Sequence, residues 1–151
     1  MEEESASKRA EKEFAQALAA LAVEDTLSAL SSIEKALRLR DAPEWYSYLG
    51  YCIAKERGQH RKGLELCQDS LAMEPDNPAH FLNLGRVHLA KGDKTEALRV
   101  MRAGMAKGGS PELAQHLDRL GTRNRPALPS LARTNPLNRY LGILLRRLGL
   151  R

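Results

Sequence analysis

The chain has 151 residues, of which 42% are hydrophobic and 28% charged, values typical of one soluble globular domain rather than a disordered segment. Aromatic residues make up 5%, and the sequence is rich in alanine and leucine, which favours helices over sheets. The net charge of +5 is uneven, because residues 121–151 hold seven arginines and no Asp, Glu or Lys. Removing those seven from the 24 basic residues leaves 17 against 19 acidic ones, so residues 1–120 carry a net charge of −2. The basic character therefore belongs to the C-terminal segment.

The N-terminus and the two cysteines indicate the compartment. The residues MEEESASKRAEKEF begin with acidic side chains and lack the apolar core of a signal peptide. No apolar run approaches the ~20 residues of a membrane-spanning helix. Cys52 and Cys67 lack the CxxC spacing of a metal or redox site and lie in apolar helical contexts, which predicts two buried, reduced thiols. We therefore expect a cytoplasmic protein.

Turn signals divide the first 120 residues into helices. Asn77 before Pro78, and Ser110 before Pro111, each place a capping side chain ahead of a proline in the first helical position. A Gly-Gly pair before Ser110 suits the end of the preceding helix. Together with the apolar periodicity, these signals predict helices near 8–22, 25–40, 43–57, 60–73, 78–91, 94–107 and 111–120.

A repeat runs through these helices with a period of 34 residues. In each copy a small residue is followed four positions later by a larger side chain and three later by another small one, as in Ala29/Ile33/Ala36, Gly63/Cys67/Ser70 and Ala97/Met101/Gly104. This spacing puts each triple on one helical face, where the small residues allow another helix to approach closely. The preceding helix recurs too, with an aromatic residue before a Leu-Gly pair at 49–50 and at 84–85.

These features resemble the tetratricopeptide repeat family. The resemblance rests on the aromatic residue and Leu-Gly pair, the small residue at 29, 63 and 97, and Pro75, at the family's 34-residue period. It covers about residues 10–110 and is most specific in EPDNPAHFLNLGRVHLAKGDKTEALRVM. It implies an all-α fold, an α–α superhelix (solenoid) of about three tetratricopeptide-type helix pairs with a capping helix and a C-terminal amphipathic helix.

The expected domain organisation follows from this resemblance. A repeat array covers 1–121, with repeats near 8–42, 43–76 and 77–110 and a capping helix over 111–120. A Pro-containing strap follows over 122–135, and an amphipathic basic helix over 136–149. Members of the family mostly bind proteins or peptides along the face lined by the first helix of each pair, which implies a binding scaffold rather than an enzyme.

Mapping the family's register onto this sequence predicts the residues that line the groove: Tyr48, Tyr51, Leu82, Asn83, Arg86, Leu89, Gln115, His116 and Arg119. Two arginines and an asparagine in one groove suggest an acidic or C-terminal carboxylate ligand, since guanidinium groups bind carboxylates well. Alternatively, Arg86 and Arg119 pair with Asp or Glu on neighbouring helices. The family's clamp for acidic chaperone tails is not expected, because the first two repeats offer Phe14 and Leu18, then Ser47 and Tyr51, near its positions.

The sequence offers no catalytic, metal or cofactor motif. Its four histidines form neither HExxH nor a Cys/His cluster at ligand spacing. His80 and His88 are eight residues apart and can share a helical face, but a pair without a third ligand is expected to be structural. Phosphate-binding loops and the GxSxG motif are also missing, so we expect no enzyme activity, no metal and no cofactor.

The sequence pattern of the C-terminal segment differs from that of the repeat array. TRNRPALPSLART is expected to be extended, after which Asn135 caps and Pro136 begins a helix. On that helix one face is apolar, formed by Leu137, Tyr140, Leu141, Leu144, Leu145 and Leu148, while Arg139, Arg146 and Arg147 are the candidate contacts on the other side. The apolar face can be buried on the array, on a second copy as a homo-oligomer, or on an anionic membrane or partner protein. Nucleic acid is the least favoured target. The Pro-containing strap followed by NPLNRYLG loosely resembles the ends of many bacterial repeat proteins, which implies that the tail is part of the architecture and assigns it no activity.

The resulting functional prediction is an adaptor that binds a peptide or protein partner in the groove of the repeat array. The alternative is a peripheral membrane or nucleic-acid-associated factor that contacts its target through the Arg-rich C-terminal helix.

Overall fold

The structure, a computed structural model, describes residues 1–121 together with Arg147 and Gly149. Across these residues the fold is all-helical, a helical solenoid without strands. A 3-10 turn, Pro43–Trp45, precedes the third of its α-helices. In chain order the helices are α1 Glu2–Ala22, α2 Thr26–Leu39, α3 Tyr46–Arg57, α4 His60–Met73, α5 Pro78–Lys91, α6 Lys94–Ala106 and α7 Pro111–Gly121.

The predicted helices are confirmed, with one difference at the N-terminus. Helix α1 begins at Glu2 rather than near residue 8. Its first turn carries Glu2, Glu3 and Glu4, whose charges suit the positive end of the helix dipole. One turn further on, Lys8 forms an ion pair with Glu4 at 2.8 Å. The extra turns therefore form through charge rather than through an apolar face, which is why hydrophobic periodicity did not predict them.

The helices pack in adjacent pairs, α1 with α2, α3 with α4 and α5 with α6. Consecutive pairs join through contacts of α2 with α3 and of α5 with both α3 and α4. By clustering of contacts the chain divides into two compact units, Met1–Leu117 and Asp118–Arg151. The helix pairs belong to the first unit, whereas the second contains the last residues of α7 and Arg147, an exposed residue in helical conformation.

Capping side chains begin several of the helices. The predicted caps are confirmed: Asn77 accepts a hydrogen bond from the N–H of Ala79 at 3.0 Å, and the Ser110 hydroxyl accepts one from the N–H of Leu113 at 3.1 Å. Asp25 and Asp93 cap α2 and α6 in the same way. These bonds satisfy N–H groups that a helix leaves unpaired at its start.

Small residues bring the helices of a pair together, as the repeat predicts. A Cβ atom placed on Gly50 of α3 would lie 2.6 Å from the carbonyl oxygen of Gly63 in α4. Conversely, one on Gly63 would lie 2.7 Å from the carbonyl oxygen of Gly50. The larger members of the triples, Ile33, Cys67 and Met101, are fully buried. The two helix backbones are therefore in direct contact at these glycines.

Both cysteines are free and buried, which confirms the prediction of reduced core thiols. Burial raises the pKa of Cys52 to about 12 and raises that of Cys67 as well, because an apolar environment disfavours the thiolate. The raised pKa values disfavour the thiolate, the nucleophilic form, at both sulfurs.

The predicted strap and C-terminal helix, 122–135 and 136–149, lie outside the described residues apart from Arg147 and Gly149. The proposed ways of burying the leucines of that helix therefore stay predictions.

Candidate functional site: a cleft along the first helices

A cleft of about 320 Å³ opens on the face formed by α1, α3, α5 and the first turn of α7, all within Met1–Leu117. Its lining residues are Leu18, Leu21, Ala22, Tyr48, Ala79, Leu82, Asn83, Arg86 and Glu112. Four of the predicted groove residues, Tyr48, Leu82, Asn83 and Arg86, are thus brought together here.

One wall of the cleft is apolar. Leu18 and Leu21 lie one turn apart on α1, and Ala22 follows on the same face. Leu82 of α5 also lines the cleft and is 2% exposed, whereas Leu18 is 40% exposed. The side chain of Leu18 therefore remains partly exposed to water, and a ligand in the cleft would bury this apolar surface.

Arg86 lies at the polar side of the cleft and is enclosed by partners. Its Nη2 lies 3.5 Å from Oε1 of Glu112 and 3.0 Å from Nε2 of His116. Its Nη1 donates to Oδ1 of Asn83 at 3.4 Å, and the guanidinium carbon lies 4.9 Å from the ring centroid of Tyr51. The arginine side chain is 15% exposed, against 65% for the side chain of Glu112.

These contacts bear on the two readings of the groove arginines. The carboxylate that faces Arg86 comes from the chain itself, from Glu112 at the start of α7, as the internal-pairing alternative expects. Asn83 is 1% exposed, and its amide donates inward to the Ser47 hydroxyl at 3.0 Å. Of the three groups that suggest a carboxylate ligand, Asn83 and Arg86 are thus engaged within the protein.

Behind the cleft, a buried polar network connects the second and third helix pairs. Nδ1 of His80 lies 2.7 Å from the Ser47 hydroxyl, and its Nε2 lies 2.8 Å from Oε1 of Glu74. Because the ionised carboxylate of Glu74 can only accept, Nε2 carries the hydrogen and donates to it; in the neutral imidazole Nδ1 is then the acceptor for the Ser47 hydroxyl, which itself accepts from Asn83. The N–H of Ser47 also donates to the Ser70 hydroxyl at 2.8 Å.

This network has the composition of a Ser–His–carboxylate arrangement but not its accessibility. Ser47 and His80 are both 0% exposed. A nucleophile must reach its substrate, and a hydroxyl sealed between helices cannot do so. The network is therefore a structural element of the core.

Tyr48 connects the network and the cleft. Its ring packs edge-on against Phe14 and His80, with centroids 5.2 and 6.3 Å apart. Burial raises the pKa of the Tyr48 phenol, the charges of Glu112 and Glu74 raise it further, and Arg86 opposes them. The electrostatic environment of the Tyr48 phenol therefore includes two carboxylates, Glu112 and Glu74, and one guanidinium, Arg86.

The remaining predicted site residues are placed as follows. Leu89 is partly exposed on α5, and Gln115 is exposed on α7, but neither lines the cleft. His116 contacts Arg86, while Arg119 is exposed on α7 in the second unit. The candidate tail contacts Arg139 and Arg146 lie outside the described residues, and Arg147 is described as exposed.

Sequence reasoning missed Leu21, Ala22, Ala79 and Glu112 as cleft residues. The spacing of Leu18, Leu21 and Ala22 on one face of α1 is the signal that could have found the apolar wall. Glu112 stands one turn before His116 on α7, so the two could have been assigned to one face.

Within the described residues, no group of three His, Cys, Asp or Glu side chains could hold a metal ion. In the same part of the chain, every helix is too short or too polar to cross a membrane.

The comparisons with known proteins agree with this architecture. The family model of the tetratricopeptide repeat (TPR) matches residues 54–119, from the end of α3 into α7. Among solved structures, the chain is similar to the Sgt2 TPR domain from Aspergillus fumigatus, with a TM-score of 0.56 and 21% identity over 84% of this chain and 89% of that one. No curated protein matches the chain. The paired helices, the 34-residue period and the match of the family model to residues 54–119 agree with the resemblance to the tetratricopeptide repeat family, and the structural similarity shows its fold.

Proposed function

We propose that this chain is a protein-interaction scaffold that holds a segment of a partner protein in the cleft along α1, α3, α5 and α7. The repeat fold supports protein interaction in general, and the exposed apolar surface of the cleft supports this location for it. The proposal rests above all on Leu18, a leucine left 40% exposed in a cleft that Leu21 and the buried Leu82 also line.

The physical case for binding is the apolar surface in the cleft. Burying a fully exposed leucine side chain is favourable by roughly 1.5–3 kcal/mol, and Leu18, which is 40% exposed, can contribute a fraction of that. A volume of about 320 Å³ lies at the lower end of ligand clefts, which run from roughly 300 to 1,000 Å³. We therefore expect one or two side chains of a partner segment to enter the cleft.

A comparison of two leucine substitutions tests the proposal. Leu18→Asn places a polar group in the cleft, whereas Leu27→Asn makes the same change at a leucine that is 66% exposed on α2 and does not line the cleft. Proteins retained from the source cell by the unmodified chain should be retained by Leu27→Asn and lost by Leu18→Asn. Equal retention by the two variants would remove the cleft from the interaction.

The alternative function, contact with a membrane or nucleic acid through the C-terminal arginines, depends on residues outside the described part of the chain. It stays a prediction of the sequence, as do self-association through that helix and the cytoplasmic location.

A further inference from the structure

We propose that the cleft selects a partner segment carrying an aliphatic side chain next to a basic one, with Glu112 as the acceptor for the basic group. The inference deepens the proposed function and rests on it. Its basis is the difference between two charged residues of the cleft. Arg86 is engaged by other residues of the protein, whereas the side chain of Glu112 is largely exposed to solvent.

Arg86 is poorly placed to bind an incoming anion. Its guanidinium stacks on Tyr51 and donates to His116 and Asn83, and only 15% of the side chain is exposed. An anionic ligand would have to compete with Glu112, a carboxylate already held nearby at no translational cost.

Glu112 has the opposite character. Its side chain is 65% exposed, and its 3.5 Å separation from Arg86 exceeds the usual length of a charge-assisted hydrogen bond, about 2.7–2.9 Å. It lies in the first turn of α7, at the edge of the cleft. A cation entering from solvent therefore meets Glu112 before it meets Arg86.

The charges around the cleft also favour a positively charged ligand. At Tyr48, which lines the cleft, the fields of Glu112 and Glu74 both raise the phenol pKa and only Arg86 lowers it. The first 120 residues carry a net charge of −2. With the C-terminal arginines the full chain carries +5, so the preference for a basic segment comes from the charges at the cleft rather than from the net charge.

The apolar half of the ligand follows from the three leucines that line the cleft. Leu18, Leu21 and Leu82 offer no hydrogen-bonding group, so a polar side chain placed against them would lose its water without compensation. An aliphatic side chain, followed within one turn by lysine or arginine, matches both halves of the cleft.

The test uses the full chain and three fluorescein-labelled synthetic peptides. All carry leucines one helical turn apart, and they differ only in having arginine, glutamine or glutamate at the intervening positions. Fluorescence anisotropy should show binding in the order arginine, glutamine, glutamate. Binding of the arginine peptide should weaken as salt is raised, because exposed charge pairs are screened.

Two matched pairs of variants locate the contact. Glu112→Gln should weaken the arginine peptide about two- to fivefold, as expected of one exposed ion pair, and leave the glutamine peptide unchanged. Glu65→Gln, which removes an exposed carboxylate of α4 outside the cleft, should change neither. Leu18→Asn should weaken all three peptides, and Leu27→Asn none.

The outcomes separate the ligand chemistry from the site. Tighter binding of the glutamate peptide, or tighter binding of the arginine peptide by Glu112→Gln, would overturn the basic ligand while keeping the cleft as the site. Binding that is indifferent to Leu18→Asn would overturn the proposed function itself. Sedimentation of the chain alone completes the test, since a self-associated form that Leu18→Asn dissociates would assign the cleft to a second copy and overturn the inference.

Discussion

The Ser47 hydroxyl of α3 lies 2.7 Å from Nδ1 of His80 in α5, and both side chains are fully buried. The two residues are 33 positions apart, so this bond joins consecutive helix pairs rather than the two helices of one pair. Asn83, on the same face of α5, donates to the same hydroxyl. Ser47 thus makes two hydrogen bonds across the junction between the second and third repeats.

Replacing Ser47 by alanine should therefore destabilise the protein markedly. The substitution leaves Nδ1 of His80 and the amide of Asn83 without their buried partner, and an unpaired buried polar group costs about 1–3 kcal/mol. Urea unfolding followed by circular dichroism measures the loss. Ser31→Ala, at an exposed position of α2, is the matched control and should be neutral or slightly stabilising. An unchanged midpoint for Ser47→Ala would mean that the network contributes nothing to stability.

The outer end of this network should make stability depend on pH. Hydrogen bonds donated by His80 and Asn77 lower the pKa of Glu74, with burial opposing them. A carboxyl group whose pKa is lower in the folded state stabilises the fold above its unfolded pKa, about 4.3, and loses that contribution as the pH falls through the folded value. The free energy of unfolding of Glu74→Gln should therefore differ most from that of the unmodified chain near neutral pH, and the difference should shrink below about pH 4.

Glu65→Gln is the control for this titration, since Glu65 faces only an exposed Arg61 at 3.7 Å. An exposed pair of this kind contributes about 0–1 kcal/mol, so its removal near neutral pH should cost less than that of Glu74. A Glu74→Gln difference that stays constant from neutral to acidic pH would contradict the role assigned to the His80 contact.

The close approach of α3 and α4 predicts an asymmetry between two helical glycines. A methyl group on Gly50 would meet the backbone oxygen of Gly63 at 2.6 Å, and a backbone cannot move aside cheaply. Although alanine favours helix by about 1 kcal/mol over glycine, Gly50→Ala should be net destabilising, by about 1–3 kcal/mol. On Gly85 the nearest atoms belong to the flexible side chain of Met101, so Gly85→Ala should cost less. Thermal unfolding measures the loss of stability in each variant, and equal losses in the two would contradict the predicted difference.

Most of the fold could be predicted from the sequence because its signals are local or periodic. The 34-residue period and the caps at Asn77 and Ser110 gave the bounds of most helices to within one or two residues. The start of α1 escaped this reasoning because Glu2–Glu4 extend the helix by charge. The register also predicts that Tyr48, Leu82 and Arg86 share a face, and all three line the cleft.

The polar contacts of the site could not be predicted in the same way, because their partners are distant in sequence. Asn83 faces Ser47, 36 residues earlier, and Arg86 faces His116, 30 residues later. His80 had been grouped with His88 by helical spacing, whereas its hydrogen bonds go to Ser47 and Glu74. Helical periodicity assigns a residue to a face but does not identify the group across the interface.

The helix caps give the last prediction, because one of three equivalent positions lacks a capping side chain. Asp25, Gln59 and Asp93 stand 34 residues apart at the starts of α2, α4 and α6, with similar backbone angles. The two aspartates each accept a hydrogen bond from the N–H three residues on, at 3.1 Å, whereas Gln59 makes no such bond. Gln59→Asp should therefore stabilise the protein by about 0.5–2 kcal/mol, measured by urea unfolding.

Two further substitutions separate capping from charge in this experiment. Gln59→Glu adds the same charge next to the basic first turn of α4 without the short side chain that reaches the N–H, so it should yield only the dipole contribution, about 0.3–1 kcal/mol. Asp93→Gln makes the reverse change at α6 and should lose about what Gln59→Asp gains, because it removes the bond to Glu96. If Gln59→Glu stabilises as much as Gln59→Asp, the gain is electrostatic, and the repeat-wide equivalence of the three caps does not hold.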